Sequence, residues 1–206
     1  MISFLSHLVN GLSLGSVYAI IALGYSMVYG IAKMLNFAHG DIIMVGAYIA
    51  FCVMQYLGLP SIVAVLAAMV VCTLLGVFIE RLAYKPLRQA TSLAVLITAI
   101  GMSYLLQNAA LLIWGANPKV FPSVVTIPSI QLFNGQLKIT GETIVTVLAN
   151  VVIMIALTLF TGKTQMGKAM RAVSEDKGAA ELMGINVNRI ITITFAIGSA
   201  LAAFAS

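Results

Sequence analysis

The chain has 206 residues, 61% of them hydrophobic and 8% charged, with a formal net charge of +5; soluble domains average roughly 45–50% and about 25%. A mean hydropathy of +1.07 excludes a water-soluble fold, because so short a chain has no interior large enough to hide that surface, whereas a bilayer takes it as solvent. The basic residues sit at the ends of apolar runs, not in a patch interleaved with exposed aromatics, which excludes nucleic acid as a partner and marks membrane topology.

Backbone groups in hydrocarbon must be satisfied within the chain, so spans are helices or a closed barrel. Barrel strands alternate apolar and polar residues over about ten positions. The runs here are longer and do not alternate. They predict an all-α integral membrane protein, a polytopic helix bundle of about six spans forming one transmembrane domain over 1–206.

Residues 1–32 contain no Lys, Arg, Asp or Glu, and the start lacks the basic region and cleavage site of a signal peptide. The first span is placed at 8–31. Gly11, Gly15 and Ala19 recur every fourth position, as do Ala22, Ser26 and Gly30. Small residues at that spacing let another helix approach closely, so Gly11, Gly15, Ser26 and Gly30 are candidate packing positions; a role in gating or substrate passage is the alternative.

Next comes KMLNFAHGD, Lys33–Asp41, and a second span at 41–57. A broken or re-entrant helix competes with a simple span over 33–58. Pro60 opens a third span, 60–78, followed by the charged loop ERLAYKPLR and a fourth span, 92–114. The segment 115–141 carries Pro118, Pro122 and Pro128 and reads as a loop outside the hydrocarbon core. A fifth span covers 143–160. The loop 162–189 gathers eight of the 17 charged residues, and a sixth span starts at 190. It runs to ALAAFAS at 206 with no flanking charge, aromatic belt or cap, so further spans are expected beyond it.

Nine of the 11 basic residues fall in the stretches around Lys33, Arg81–Arg88 and Lys163–Arg189, against Lys119 and Lys138 elsewhere. That asymmetry places the former in the cytoplasm and the N-terminus outside.

Several chemistries find no support. GKTQMGKA, Gly162–Ala169, nearly spells a phosphate-binding loop, but Ala169 offers no hydroxyl for Mg²⁺ and no buried strand precedes it. His7 and His39 have no partner at ligand spacing, so no metal site is expected. No nucleophile–base pair can be argued, and enzyme activity is not expected in this chain. Cys52 and Cys72 lie inside apolar runs as small buried hydrophobes. The shared A-x-G-x-S of ALGYS (22–26) and AIGMS (99–103) is too short to establish a repeat.

Asn36, His39 and Asp41 are the polar candidates for a pathway constriction or hinge. An ion-coupled carrier or channel would centre on His39 and Asp41, because a charge in mid-bilayer costs at least about 2.5–3.5 kcal/mol. The plainer reading puts both at the cytoplasmic interface, with Asp41 favouring the N-terminal dipole of the second helix.

In the charged loop, Ser174 is expected to cap a helix of about nine residues whose first turn holds Glu175 and Asp176. Gly184 supplies its C′ position, and Asn186 or Asn188 caps the returning span. Ala179, Ala180 and Met183 share a low-relief face beside Leu182 and Ile185. A helix this short is marginal alone in water and must dock, either on the protein's own surface or on a partner.

GAAELMG resembles the cytoplasmic EAA loop of ABC importer permeases, E-A-A-x-x-x-G, through Ala179, Ala180 and Gly184. Gly178 replaces the leading Glu, and the I-x-L-P that should follow is absent, with Thr194, Ala196 and Ile197 there. The segments NGLSLGSVYAIIALGYSMVYGIAKMLNFAHGDIIMVGAY (10–48) and GKAMRAVSEDKGAAELMGINV (167–187) resemble one branch, the bacterial branched-chain amino acid ABC transporter permeases. That resemblance implies a permease subunit of an ATP-driven importer for Leu, Ile or Val, multi-pass in the inner (plasma) membrane of a bacterium. It further implies a second permease, two ATPase subunits and a periplasmic binding protein as partners, with ATP and Mg held by the ATPases and no cofactor in this chain. Glu175, Asp176, Ala179, Ala180, Glu181, Met183 and Gly184 would form the ATPase-coupling helix. A urea or short-amide permease of the same branch, and a purely structural membrane subunit, are the competing readings.

Overall fold

In the computed structural model, which describes residues 2–88, 90–121, 130–132 and 137–206, each of the six apolar runs is a helix. These are α1 (Ile2–Ala32), α2 (His39–Gln55), α3 (Ser61–Ile79), α4 (Ser92–Trp114), α5 (Gly141–Lys163) and α8 (Val187–Ala205). Five of them are long and apolar enough to cross a membrane, and α2, with 17 residues, is shorter. Helix α3 runs on through a π-helical turn, Glu80–Tyr84, and a 3₁₀ turn, Lys85–Leu87. Between α5 and α8 lie α6 (Gln165–Glu175) and α7 (Lys177–Leu182). The chain is therefore a polytopic helix bundle of the expected class.

Five of the helix starts carry a side-chain cap, while α2 and α3 start without one. Thr91, Thr140, Thr164, Asp176 and Asn186 each accept a backbone N–H from three residues on, satisfying a donor that the helix leaves unpaired. In the segment 115–141, two short strands, β1 (Ile130–Leu132) and β2 (Leu137–Ile139), pair antiparallel with Ile130 opposite Ile139. The loop reading thus gains a small ladder; Pro122 and Pro128 lie outside the described residues.

Helix α8 is the hub, packed on α1, α2 and α3. It approaches each at a small residue. A Cβ added to Gly24 would stand 3.1 Å from the carbonyl oxygen of Gly198, and one on Gly198 would stand 2.7 Å from a Val28 methyl. At Gly76 it would collide with the Ser199 side chain, and at Gly46 it would lie 3.2 Å from Ala203 Cα. With lipid tails as apolar as Leu, close van der Waals contact at small residues is what holds such helices together. The stripe chosen from sequence is a different one: Gly11, Gly15 and Gly30 meet nothing within 4 Å, and exposed Ser26 donates to its own helix at Leu23. Within this chain the packing glycines are Gly24, Gly46, Gly76 and Gly198.

Candidate functional site: a buried polar elbow

The elbow begins at Lys33, whose left-handed backbone (φ 57°) ends α1. Residues 33–38 are not helical and carry the chain back into the bundle. Helix α2 starts deep. His39 Cε1 lies 3.1 Å from the Cβ position of Gly24, two turns before the end of α1, or about 12 Å at 1.5 Å per residue. Gln107, about four turns or ~22 Å along α4, donates to Asp41 Oδ1 at 3.0 Å. His39 and Asp41 therefore lie inside the helix bundle and not level with the end of α1, and 33–58 is broken, a non-helical stretch followed by the 17-residue α2. The simple span failed as a reading because an apolar run records length but not depth.

Asn36, His39 and Asp41 are all buried. Tyr84 donates to Asn36 Oδ1 at 3.1 Å. The His39 ring meets Tyr25 edge-on with centroids 5.8 Å apart. His39 Nε2 and Asp41 Oδ2 have no hydrogen-bond partner among the described residues. Such atoms are costly to bury unless something polar reaches them. Beside them is an open cleft of about 560 Å³ between α1 and the elbow, lined by Tyr18, Ile21, Ala22 and Tyr25 on one side and Asn36, Phe37, His39 and Gly40 on the other. Its walls are almost entirely apolar.

A second network braces the elbow. Glu80, fully buried, pairs with Arg88, which also donates to Asn188. Thr192 donates to the other Glu80 oxygen at 2.8 Å, and the Tyr84 ring packs on Phe195. The end of α3 is thus bolted to both the elbow and α8. Sequence reading missed Glu80 and Gln107. The available signal was a lone acid or amide bordering an apolar run, which at membrane depth marks a paired group.

The charged loop differs from expectation in detail. Ser174 is not a cap: it lies within α6 and bonds back to Arg171. Met170 and Val173 are buried on one face of α6, which carries that helix through Glu175, so Asp176 caps α7 and leaves it six residues long. Gly184 has φ 81° and Asn186 caps α8. Ala180 faces the protein and is buried, whereas Leu182 and Met183 are 91% and 82% exposed and Ala179 and Glu181 are also exposed. Lys177 donates to the carbonyl of Ala32 at 2.7 Å, tying α7 to the last turn of α1. Burial, followed by the nearby charges of Arg88 and Lys33, holds its amino group below the ordinary lysine value.

Among the described residues no three His, Cys, Asp or Glu side chains converge as a metal site. No solved structure matches the chain. The profile of the family described as "Branched-chain amino acid transport system / permease component" matches residues 7–206. The high-affinity branched-chain amino acid transport system permease protein BraD of Pseudomonas aeruginosa is 45% identical, covering 98% of this chain and 69% of its own length. LivH of Escherichia coli K12, which carries the same description, is 41% identical over the same shares. A probable branched-chain amino acid transport permease protein LivH of Methanocaldococcus jannaschii is 26% identical over 90% of this chain and 60% of its own length. The chain belongs to the family of branched-chain amino acid transport system permease components.

Proposed function

We propose that the chain is a bacterial inner-membrane permease subunit that imports leucine, isoleucine or valine when separate ATPase subunits hydrolyse ATP. The observation that carries this reading is the elbow. Non-helical backbone at membrane depth is tolerated only where protein buries it or where it lines a cavity. Here it lines a cleft whose Tyr18, Ile21 and Tyr25 walls suit a branched aliphatic side chain, with Asn36 and His39 among its lining residues. A second permease subunit would close the open side, and a periplasmic binding protein would deliver the solute.

Coupling runs through α7. Leu182 and Met183 project from its end as two apolar knobs, and an ATPase groove is the occupant that import requires. Movement of α7 reaches α1 through Lys177 and Ala32, and reaches the elbow through α8, Glu80 and Tyr84. ATP and Mg²⁺ belong to the ATPases.

The test is Leu182→Glu with Met183→Glu, measured for ATPase co-purification and leucine uptake. Loss of both with normal membrane insertion is the expected result. Unchanged co-purification would overturn the coupling role. Uptake that persists without ATP and collapses with the proton gradient would favour a carrier using Asp41, whose Oδ2 is unpaired among the described residues. Competition by urea instead of leucine would assign a short-amide substrate.

A further inference from the structure

At the basic end of the bundle, α1, the α3–α4 connection, α4 and α7 leave between them a cavity of about 310 Å³. Three cations line it, Lys33, Arg88 and Lys177, and none of its described lining residues is acidic. Arg88 is balanced from behind by Glu80. Lys177 is held by a backbone carbonyl, and no ion pair of Lys33 occurs among the described residues. Two positive charges therefore face the cavity without a counter-charge. The rest of the wall is largely apolar, with Met34, Leu87 and Val95.

Lys33 adds an independent observation. Its φ of 57° is a conformation that glycine adopts freely and that crowds the Cβ of a lysine. The residue that would relax the backbone is absent, and a cation stands there at the cavity mouth. Strain held in this way points to use of the side chain. The lowered proton affinity of Lys177, caused by burial and by its two cationic neighbours, is what an incoming anion would relieve.

We infer that this cavity binds the phosphate headgroup of an anionic glycerophospholipid. The cations surround the phosphate, and the first acyl carbons lie along the apolar wall. Basic pockets between membrane helices at the cytoplasmic face recognise such headgroups, and charge-assisted hydrogen bonds to phosphate are the strong ones. A free phosphate would use the charges and leave Leu87 and Val95 without a role. The inference does not depend on which solute the chain carries.

The experiment uses protein extracted from the membrane with its co-purifying subunits, and fluorescent phosphatidylglycerol as the probe, with phosphatidylcholine and inorganic phosphate as competitors. Phosphatidylglycerol is retained, phosphatidylcholine competes poorly and excess inorganic phosphate does not displace it. Lys33→Glu, a change of two charges beside the phosphate, lowers retention by at least about tenfold. Lys33→Gly removes the charge while suiting the backbone, so it weakens retention and leaves thermal stability intact. Equal retention of both lipids, unchanged binding in the two variants, or displacement by inorganic phosphate would overturn the lipid site; the last would assign the cavity to a free anion.

Discussion

Lys177 donates to the carbonyl of Ala32 at 2.7 Å, across 145 positions of sequence. The last four carbonyls of a helix have no partner within it, and here one is satisfied by a cation, which also suits the negative end of the helix dipole. The short helix α7 and α1, the longest helix among the described residues, therefore share one bond. Lys177→Met is expected to lower leucine uptake about tenfold or more while ATPase co-purification stays normal, because a hydrogen bond from a charged donor is worth roughly 1.5–3 kcal/mol. Uptake assays alongside pull-down separate this outcome from loss of docking.

The α3–α8 crossing tolerates no bulk at Gly76, where an added Cβ collides with Ser199. Gly76→Val is expected to destabilise the fold by about 1–3 kcal/mol, as overpacking does. Gly11→Val, on a face that meets nothing within 4 Å, serves as the neutral comparison. Thermal unfolding in detergent reads both.

Breaking a buried ion pair from one side leaves a charge without compensation, at a cost of about 3–5 kcal/mol. Glu80→Ala leaves Arg88 in that state, so a marked fall in thermal stability follows. Glu80→Gln with Arg88→Met removes both charges and is expected to recover much of the loss. A double variant no more stable than Glu80→Ala would show that Arg88 matters mainly through Asn188.

His39 lines the cleft beside Tyr25, with its Nε2 buried against Gly24 and without a hydrogen-bond partner among the described residues. If that nitrogen meets the carboxylate of the solute, His39→Phe weakens apparent uptake affinity by about 10- to 100-fold, the equivalent of roughly 1.5–3 kcal/mol. Concentration-dependent uptake in membrane vesicles measures it, and an unchanged half-saturation concentration would remove His39 from the pathway.

The helices were legible because hydrocarbon imposes one backbone solution, so run length alone located α3, α4, α5 and α8 to within about three residues, while α1 begins at Ile2, before the expected start at 8. Gly184 and Asn186 were legible for a similar reason, since caps are local chemistry. Depth was not. Whether His39 sits at an interface or two turns inside depends on Gly24 and Gln107, which lie on other helices. Ser174 and Asp176 are both good caps, and the choice fell to burial of Met170 and Val173, a tertiary effect. The packing glycines escaped for the same cause: a stripe such as Gly11–Gly15 shows that approach is allowed, and only the partner helix shows where it happens.

If the end of α1 marks the membrane surface, the start of α2 about 12 Å inside it makes the insulating layer thinner at the elbow than around it. Of the roughly 30 Å of a bilayer's hydrocarbon, about 18 Å would separate the start of α2 from the opposite aqueous phase. A zwitterion crossing there would shed its hydration over a shorter path, so the protein need supply substitutes for water only along α2.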